Sequence, residues 1–233
     1  MLHVSVTITV FEALESIPTR DDVLNDPIMR EAADRAYHAS RTGPWTMLAC
    51  AVAYCPLSHI LSTEELSHLR SSAETIAQQS GRADDTLLAR QFTTDSSPRG
   101  QVEYLFDLGN WSPYFVSEPG KKYATMLQML QYPFTRGSIH IPSQEETGSG
   151  NKKVTVHDKP VINPRYYLGA GGEIDRKIMA ATQRFTDRIC RTEPLARIIK
   201  RRVCPPDATD TKSESDTYDE FVKDHTVTDW HRK

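Results

Sequence analysis

The sequence predicts an α+β fold in which helices cover one face of an antiparallel β-sheet. Three features support this class: a strictly alternating first strand, further strand patterns in the middle of the chain, and amphipathic helices in its last third. The order strand, helices, strands, helices lacks the repeated strand–helix–strand unit that builds a parallel nucleotide-binding sheet. A chain of 233 residues is also long enough to bury a substantial core.

The first third begins with a strand and continues with helices. Aliphatic residues occupy every second position of residues 2–10, with polar residues between them, which predicts a strand with one buried face. Residues 21–40 are predicted to be helical, with Asp26 as an N-cap followed directly by a proline. A second helix is predicted with Thr63 as its N-cap, acidic residues in its first turn and an end near Gly81.

The middle of the chain returns to strand patterns. Hydrophobic side chains alternate at Val102, Tyr104 and Phe106, which predicts another strand. Residues 125–132 are rich in methionine and leucine and fit either a helix or a buried strand.

Two further strand signals flank a polar stretch. Residues 136–141 are predicted to form a strand, and residues 160–164 are expected to be extended because the position before a proline disfavours helix. Between them, residues 144–153 are polar and rich in glycine and serine, which predicts an exposed hairpin loop. A strand is predicted to resume at residues 154–156.

The last third predicts helices joined by a linker. The first helix has a continuous apolar stripe made of Ile174, Ile178, Ala181, Phe185 and Ile189. A short helix is predicted from residue 192 to the basic run at 200–202, and residues 204–217 are predicted to be an exposed linker rich in proline, aspartate and serine. A final helix, capped by Ser215 or Asp216, is predicted to bury one face; that face consists of Tyr218, Phe221, Val222 and His225.

Composition and charge argue against two classes of partner. The net charge of -3 and the pI near 6.2 give no general attraction to nucleic acid or to an anionic membrane. Arg184, Arg188 and Arg191 share the polar face of a predicted helix and are interpreted as solvated charges, and acidic neighbours weaken the basic field of residues 184–202. No apolar run is long enough to span a bilayer, and the first residues lack a signal-peptide pattern, so the localisation stays open.

No metal or hydrolase site is predicted. No two histidines flank a carboxylate at helical spacing, and the four cysteines lack paired Cys-x-x-Cys spacing and are interpreted as buried free thiols. Ser138 lacks the Gly-x-Ser-x-Gly elbow of serine hydrolases. No Gly-x-Gly-x-x-Gly follows a strand, and residues 169–172 (Gly-Ala-Gly-Gly) lack that spacing, so no pyrophosphate cradle and no cofactor-binding residue is assigned.

Several segments nevertheless occur in the order typical of one enzyme family. They are residues 136–141 (Arg-Gly-Ser-Ile-His-Ile), residues 159–168 (Lys-Pro-Val-Ile-Asn-Pro-Arg-Tyr-Tyr-Leu), residues 192–195 (Thr-Glu-Pro-Leu) and residues 218–231, which end in Trp-His. This ordered set resembles the substrate-binding, C-terminal domain of the glucose-methanol-choline (GMC) oxidoreductases, and the resemblance extends over residues 1–233. It implies an FAD-dependent enzyme that oxidises the CH–OH group of a small-molecule alcohol.

The resemblance implies a catalytic role for His231. In the family, a histidine at this position accepts the hydroxyl proton of the alcohol as hydride passes to the flavin, and imidazole suits that role because its ordinary pKa lies near neutral pH. The Rossmann-like FAD domain is not recognisable, so we expect a truncated enzyme that is inactive alone and whose partner is the missing FAD-binding portion. The alternative is a flavin-free binding or partner module that keeps the fold without the chemistry.

Overall fold

A computed structural model describes residues 2–47, 49–92, 99–142, 155–207 and 213–232. The strands are β1 (Leu2–Ala13), β2 (Ala51–Cys55), β3 (Val102–Asp107), β4 (Tyr123–Leu130), β5 (Ser138–His140), β6 (Val161–Asn163), β7 (Ile199–Cys204) and β8 (Val227–Arg232). The helices are α1 (Arg20–Asn25), α2 (Pro27–Ser40), α3 (Leu57–Ile60), α4 (Thr63–Ser80), α5 (Ala83–Ala89), α6 (Gly169–Cys190) and α7 (Glu214–His225).

The main sheet has β1 near its centre. Its order is β2-β3-β4-β1-β7, β8 also pairs with β1, and all of these pairings are antiparallel. Because β4 occupies one edge of β1, strands β7 and β8 share the other edge: β7 pairs with residues 10–13 of β1, and β8 with residues 2–6. The predicted α+β class with an antiparallel sheet is confirmed.

Helices α4 and α6 pack on one face of this sheet. The core between them includes Phe11 and Met126 from the sheet, Leu69 from α4 and Ile178 from α6. The predicted apolar stripe of α6 is confirmed, because its members are buried in this core or packed against it. The opposite face carries a smaller cluster of Val6, Ile8, Val10, Tyr123, Leu127, Met129, Cys204 and Phe221.

A network of buried polar side chains joins α6 to the sheet. Its members are Thr7, Thr9, Gln128, Gln183 and Thr186, each no more than 1% exposed. The Gln183 amide donates to Thr7 Oγ1 at 2.6 Å and to Gln128 Oε1 at 3.0 Å, and it accepts from Thr9 Oγ1 at 2.6 Å. Gln128 Nε2 donates to Thr9 Oγ1 and Thr186 Oγ1, both at 2.8 Å. Since these amides are satisfied only in one arrangement, the network specifies how α6 lies over β1 and β4.

Local caps define the ends of α4. Its N-cap is Ser62 rather than the predicted Thr63: Ser62 Oγ accepts from the Glu65 amide at 3.1 Å, and Glu65 Oε2 accepts from the Ser62 amide at 2.9 Å. This reciprocal pair satisfies two donors at the helix start, and it requires a carboxylate three residues after the cap, where Ser62 has Glu65 and Thr63 has Leu66. Gly81, with φ 62°, ends the helix as predicted because its left-handed backbone favours glycine.

The basic run near residue 200 is a strand, so the predicted helix over residues 192–202 is wrong. Only Leu195–Arg197 form a single 3-10 turn, and β7 follows. Lys200 Nζ and Arg201 Nε lie 2.9 and 2.8 Å from the carboxylate of Glu12 on β1. These partners, distant in sequence, favour the extended conformation over helix.

The predicted linker over residues 204–217 is shorter than expected. Cys204 is buried at the end of β7, and α7 starts directly after its N-cap Ser213, so both predicted caps lie inside the helix. The Ser213 hydroxyl accepts from a backbone amide in the first turn, which explains the earlier start. Residues 208–212 lie outside the described part of the chain.

Three predictions around the middle of the chain have different outcomes. The ambiguous segment 125–132 is mostly strand β4, whose residues are all buried because neighbouring strands flank it and both sheet faces are covered there. The strand predicted at 154–156 is wrong at Val156, which is exposed in a turn closed by Asp158 accepting from the Thr155 amide at 2.6 Å. The predicted hairpin loop at 144–153 lies outside the described residues.

Candidate active site

His231 lies in β8, a strand that the sequence analysis did not predict. β8 starts just after α7 and runs antiparallel to β1, with His231 opposite His3 and Thr228 opposite Ser5. The described part of His231 is its backbone; the imidazole lies outside it. The β-branched residues 226–228 were the available signal for a strand here.

Two of the segments that carry the family resemblance pair with each other. β5 and β6 form a separate two-stranded sheet, with Ser138 opposite Asn163 and His140 opposite Val161. Arg136, just before β5, forms an ion pair with the buried Asp85 at 2.7 Å. The segments at residues 136–141 and 159–168 therefore form one local unit of the structure.

A buried carboxylate attaches this unit to α6. Asp175 of α6 is fully buried and accepts from the Phe134 amide at 2.8 Å, from the Thr135 amide at 2.7 Å and from the Thr135 hydroxyl at 2.6 Å. Burial raises the pKa of Asp175 to about 6, although these three hydrogen bonds favour the ionised form. Asp175 thus fixes the chain just before Arg136.

The glycines at the start of α6 permit close packing. A Cβ on Gly172 would lie 2.1 Å from the carbonyl carbon of Tyr167, and a Cβ on Gly171 would lie 2.8 Å from Cβ of Phe134. Both positions therefore require glycine because neighbouring protein atoms lie too close for a Cβ. The same neighbours leave no room there for a phosphate. Residues 169–172 therefore do not provide a cradle for the FAD pyrophosphate.

Two tyrosines that precede α6 contact the start of β8. The Tyr167 hydroxyl lies 2.6 Å from Thr226 Oγ1, and the Tyr166 side chain is hydrogen-bonded to Thr228. Burial raises the pKa of both tyrosines, so both hydroxyls are protonated at neutral pH. Both tyrosines belong to the motif at residues 159–168, but nothing in the local sequence indicates this contact, because it joins residues about 60 positions apart.

His225 packs against aromatic rings, as predicted. Its ring stacks on Phe221 at a centroid distance of 4.4 Å and meets the edge of Tyr114 at 4.8 Å. Its Nδ1 lies 3.1 Å from the Phe221 carbonyl oxygen. His225 therefore stabilises the α7 end that leads into β8.

The described residues contain no cluster of three or more potential ligands for a metal ion. The prediction of buried thiols is confirmed for Cys190 and Cys204, but it is wrong for Cys50, which is exposed just before the edge strand β2, and Cys55 at the end of β2 is only partly buried. All four are free thiols. In the part of the chain that the structure describes, no helix is long and apolar enough to cross a membrane.

Comparison with known proteins supports the resemblance. No family model matches the chain. Dehydrogenase mpl7 of Monascus purpureus and dehydrogenase citC of Monascus ruber are each 24% identical over 237 aligned residues, which cover 93% of this chain and 36% of each relative. The chain thus spans about a third of the length of these curated relatives.

Solved flavoenzyme structures show the same fold. Formate oxidase of Aspergillus oryzae RIB40 matches with a TM-score of 0.69 and 16% identity, over 97% of this chain and 35% of that enzyme. A fungal aryl-alcohol oxidase matches with a TM-score of 0.63 and 16% identity, over 97% of this chain and 36% of that enzyme. The predicted resemblance to GMC oxidoreductases is therefore confirmed as a likeness of fold.

Proposed function

We propose that residues 1–233 act as the substrate-binding domain of an FAD-dependent oxidoreductase that oxidises the CH–OH group of a small alcohol. The observation that carries the proposal is the match to flavoenzyme folds over 97% of the chain. Two of the resembling segments pair within that fold, and Tyr166 and Tyr167 connect this unit to the strand that contains His231.

In this proposal His231 is the catalytic base. Its neutral imidazole accepts the hydroxyl proton of the alcohol while the C–H bond breaks and its electron pair leaves as hydride. FAD supplies the hydride acceptor when it is bound. Because Gly171 and Gly172 pack against neighbouring protein and leave no room for a pyrophosphate, we assign flavin binding to an FAD-binding portion that acts as the partner of this chain.

The chain alone is proposed to be inactive. The second candidate is a flavin-free binding or partner module, which the packing of Gly171 and Gly172 against neighbouring protein favours. Gel filtration of the purified chain with excess FAD tests both: we expect no flavin to co-elute and no alcohol to reduce added flavin. Flavin that co-elutes and is bleached by an alcohol would contradict the proposed inactivity.

A chimera separates the two candidates. In it, this chain replaces the matching segment of the fungal aryl-alcohol oxidase, and anaerobic bleaching of the flavin is followed with aryl alcohols, aliphatic alcohols and formate. We expect at least one of these compounds to bleach the flavin, and His231→Gln to slow the bleaching by about 10²–10⁴-fold. His38→Gln, at an exposed histidine of α2, is the matched control and should have no effect. A flavin-loaded chimera that none of the compounds reduces would favour the partner module.

A further inference from the structure

We infer that Tyr166 and Tyr167 are positioning residues that hold β8, and with it His231, against β1. The consequence for catalysis rests on the proposed function of His231. The anchor itself belongs to this chain and is testable without flavin or substrate.

The Tyr167 hydroxyl is part of a directed chain of hydrogen bonds. Thr226 Oγ1 donates to the Val222 carbonyl oxygen at 2.7 Å, so its oxygen accepts the proton that Tyr167 donates across 2.6 Å. Consecutive hydrogen bonds of this kind strengthen one another. Thr226 is the C-cap of α7 and immediately precedes β8, so Tyr167 fixes the point at which the helix becomes a strand.

The two tyrosines also contact both strands of the β1–β8 pair. Against the larger effect of burial, Ser5 of β1 is close enough to the Tyr167 hydroxyl to lower its pKa, and the Tyr166 side chain is hydrogen-bonded to Thr228 of β8. Ser5 and Thr228 are opposite each other in the pairing register. The tyrosines therefore bind β8 at the same level at which it joins β1.

This level is where the pairing needs support. The register between β1 and β8 shifts between His3 and Ser5, so the ladder is irregular between the anchored pair and the pair that contains His231. A strand held only by an irregular ladder slips more readily than one with side-chain anchors. The tyrosine contacts specify one register and so one position for His231.

The backbone that presents the tyrosines is itself held firmly. Tyr167 adopts φ 55°, an uncommon left-handed conformation for a tyrosine, and Gly172 packs against its carbonyl group. Nearby, the hydrogen bonds of Asp175 attach α6 to the backbone of Phe134 and Thr135. The hydroxyls thus extend from a rigid base to β8.

Hydrogen exchange of the intact chain tests the anchor. We expect Tyr167→Phe to increase exchange of residues 227–232 about fivefold to tenfold relative to the rest of the sheet, because one hydrogen bond is lost at the strand start. Tyr123→Phe is the matched control: it removes a hydroxyl, on β4, that accepts from the Glu118 amide at 3.0 Å. This control should leave exchange of residues 227–232 unchanged.

A second variant and a double-mutant cycle test whether the anchor acts through the hydrogen bond between Tyr167 and Thr226. Thr226→Val removes the acceptor, should also loosen residues 227–232, and should add little to Tyr167→Phe when the two are combined. The NMR signal of the His231 imidazole, assigned by its loss in His231→Gln, should shift in Tyr167→Phe and stay in place in Tyr123→Phe. A general loss of stability would not produce this difference.

Unchanged exchange and an unchanged His231 signal in both Tyr167→Phe and Thr226→Val would overturn the anchor. Equal effects of Tyr167→Phe and Tyr123→Phe would also overturn it, because they would reflect overall destabilisation. If the anchor holds but His231→Gln leaves flavin bleaching in the chimera intact, only the proposed function of His231 fails.

Discussion

Leucine is similar in size to glutamine, but replacing Gln183 with leucine should strongly destabilise the protein. The Gln183 amide makes three buried hydrogen bonds, to Thr7, Gln128 and Thr9. At about 1 kcal/mol net for each, Gln183→Leu should lower the free energy of unfolding by about 3 kcal/mol. For a domain of this size, that corresponds to a fall in Tm of about 6–12 °C.

The buried donor that Gln183→Leu leaves without a partner provides a sharper test. In Gln183→Leu the Thr9 hydroxyl loses its acceptor inside the core, and a buried donor without a partner accounts for part of the cost. Adding Thr9→Val removes that donor, so the double variant should be about 1 kcal/mol more stable than the sum of the single effects.

Urea denaturation followed by circular dichroism measures these differences, with the midpoint compared at a constant m-value. Gln78→Leu on the exposed side of α4 is the matched control and should change the free energy of unfolding by less than about 0.5 kcal/mol. A loss below about 1 kcal/mol for Gln183→Leu, or strict additivity with Thr9→Val, would refute the role given to the network.

Three further predictions concern ionised groups. Arg202→Ala should lower the free energy of unfolding by about 2–3 kcal/mol in urea titrations, because buried Arg202 lies 3.3 Å from Asp187, which then loses this partner and keeps its pair with the exposed Arg191. The pKa of Glu12 is lowered, chiefly by its hydrogen bond with Lys200. The ionised carboxylate therefore stabilises the fold above the ordinary pKa of 4.5, and this stabilisation is lost as the pH falls through the lowered value. Wild type should lose more stability than Glu12→Gln between pH 7 and about pH 3. The pH dependence of stability has the opposite sign at Asp175, because burial raises its pKa from 3.8 to about 6. Relative to Asp175→Asn, the free energy of unfolding of wild type should fall by up to about 3 kcal/mol as the pH rises through this window. A difference between the two proteins that stays constant with pH would contradict the raised pKa.

The sequence predicts best where one rule determines the local structure. The apolar stripe of α6 and the proline after Asp26 at the start of α2 each have a single interpretation, and the structure agrees with both. The alternation in β1 correctly predicts a strand, but the expectation of one buried face is wrong, because Ser5, Thr7 and Thr9 on its polar face are buried as well. The segment at 125–132 has no such pattern, because apolar side chains of β4 pack on both faces of the sheet.

Strands formed by distant partners were not predictable from local pattern. The charges of β7 favour a solvated helix until Glu12 is brought next to them, and β8 exists because β1 offers it an edge. For the candidate site, the resemblance indicates His231, but the connection from Tyr167 to Thr226 depends on how α6 and α7 pack. No local sequence pattern predicts a contact between residues 59 positions apart in the chain.

The pH dependence of flavin bleaching in the chimera tests the central claim most directly. If His231 is the base, the rate should rise as the pH passes through the ordinary imidazole pKa of about 6.5, and His231→Gln should both lower the rate and flatten this profile. A wild-type chimera whose rate and pH profile are the same as those of His231→Gln would contradict the account.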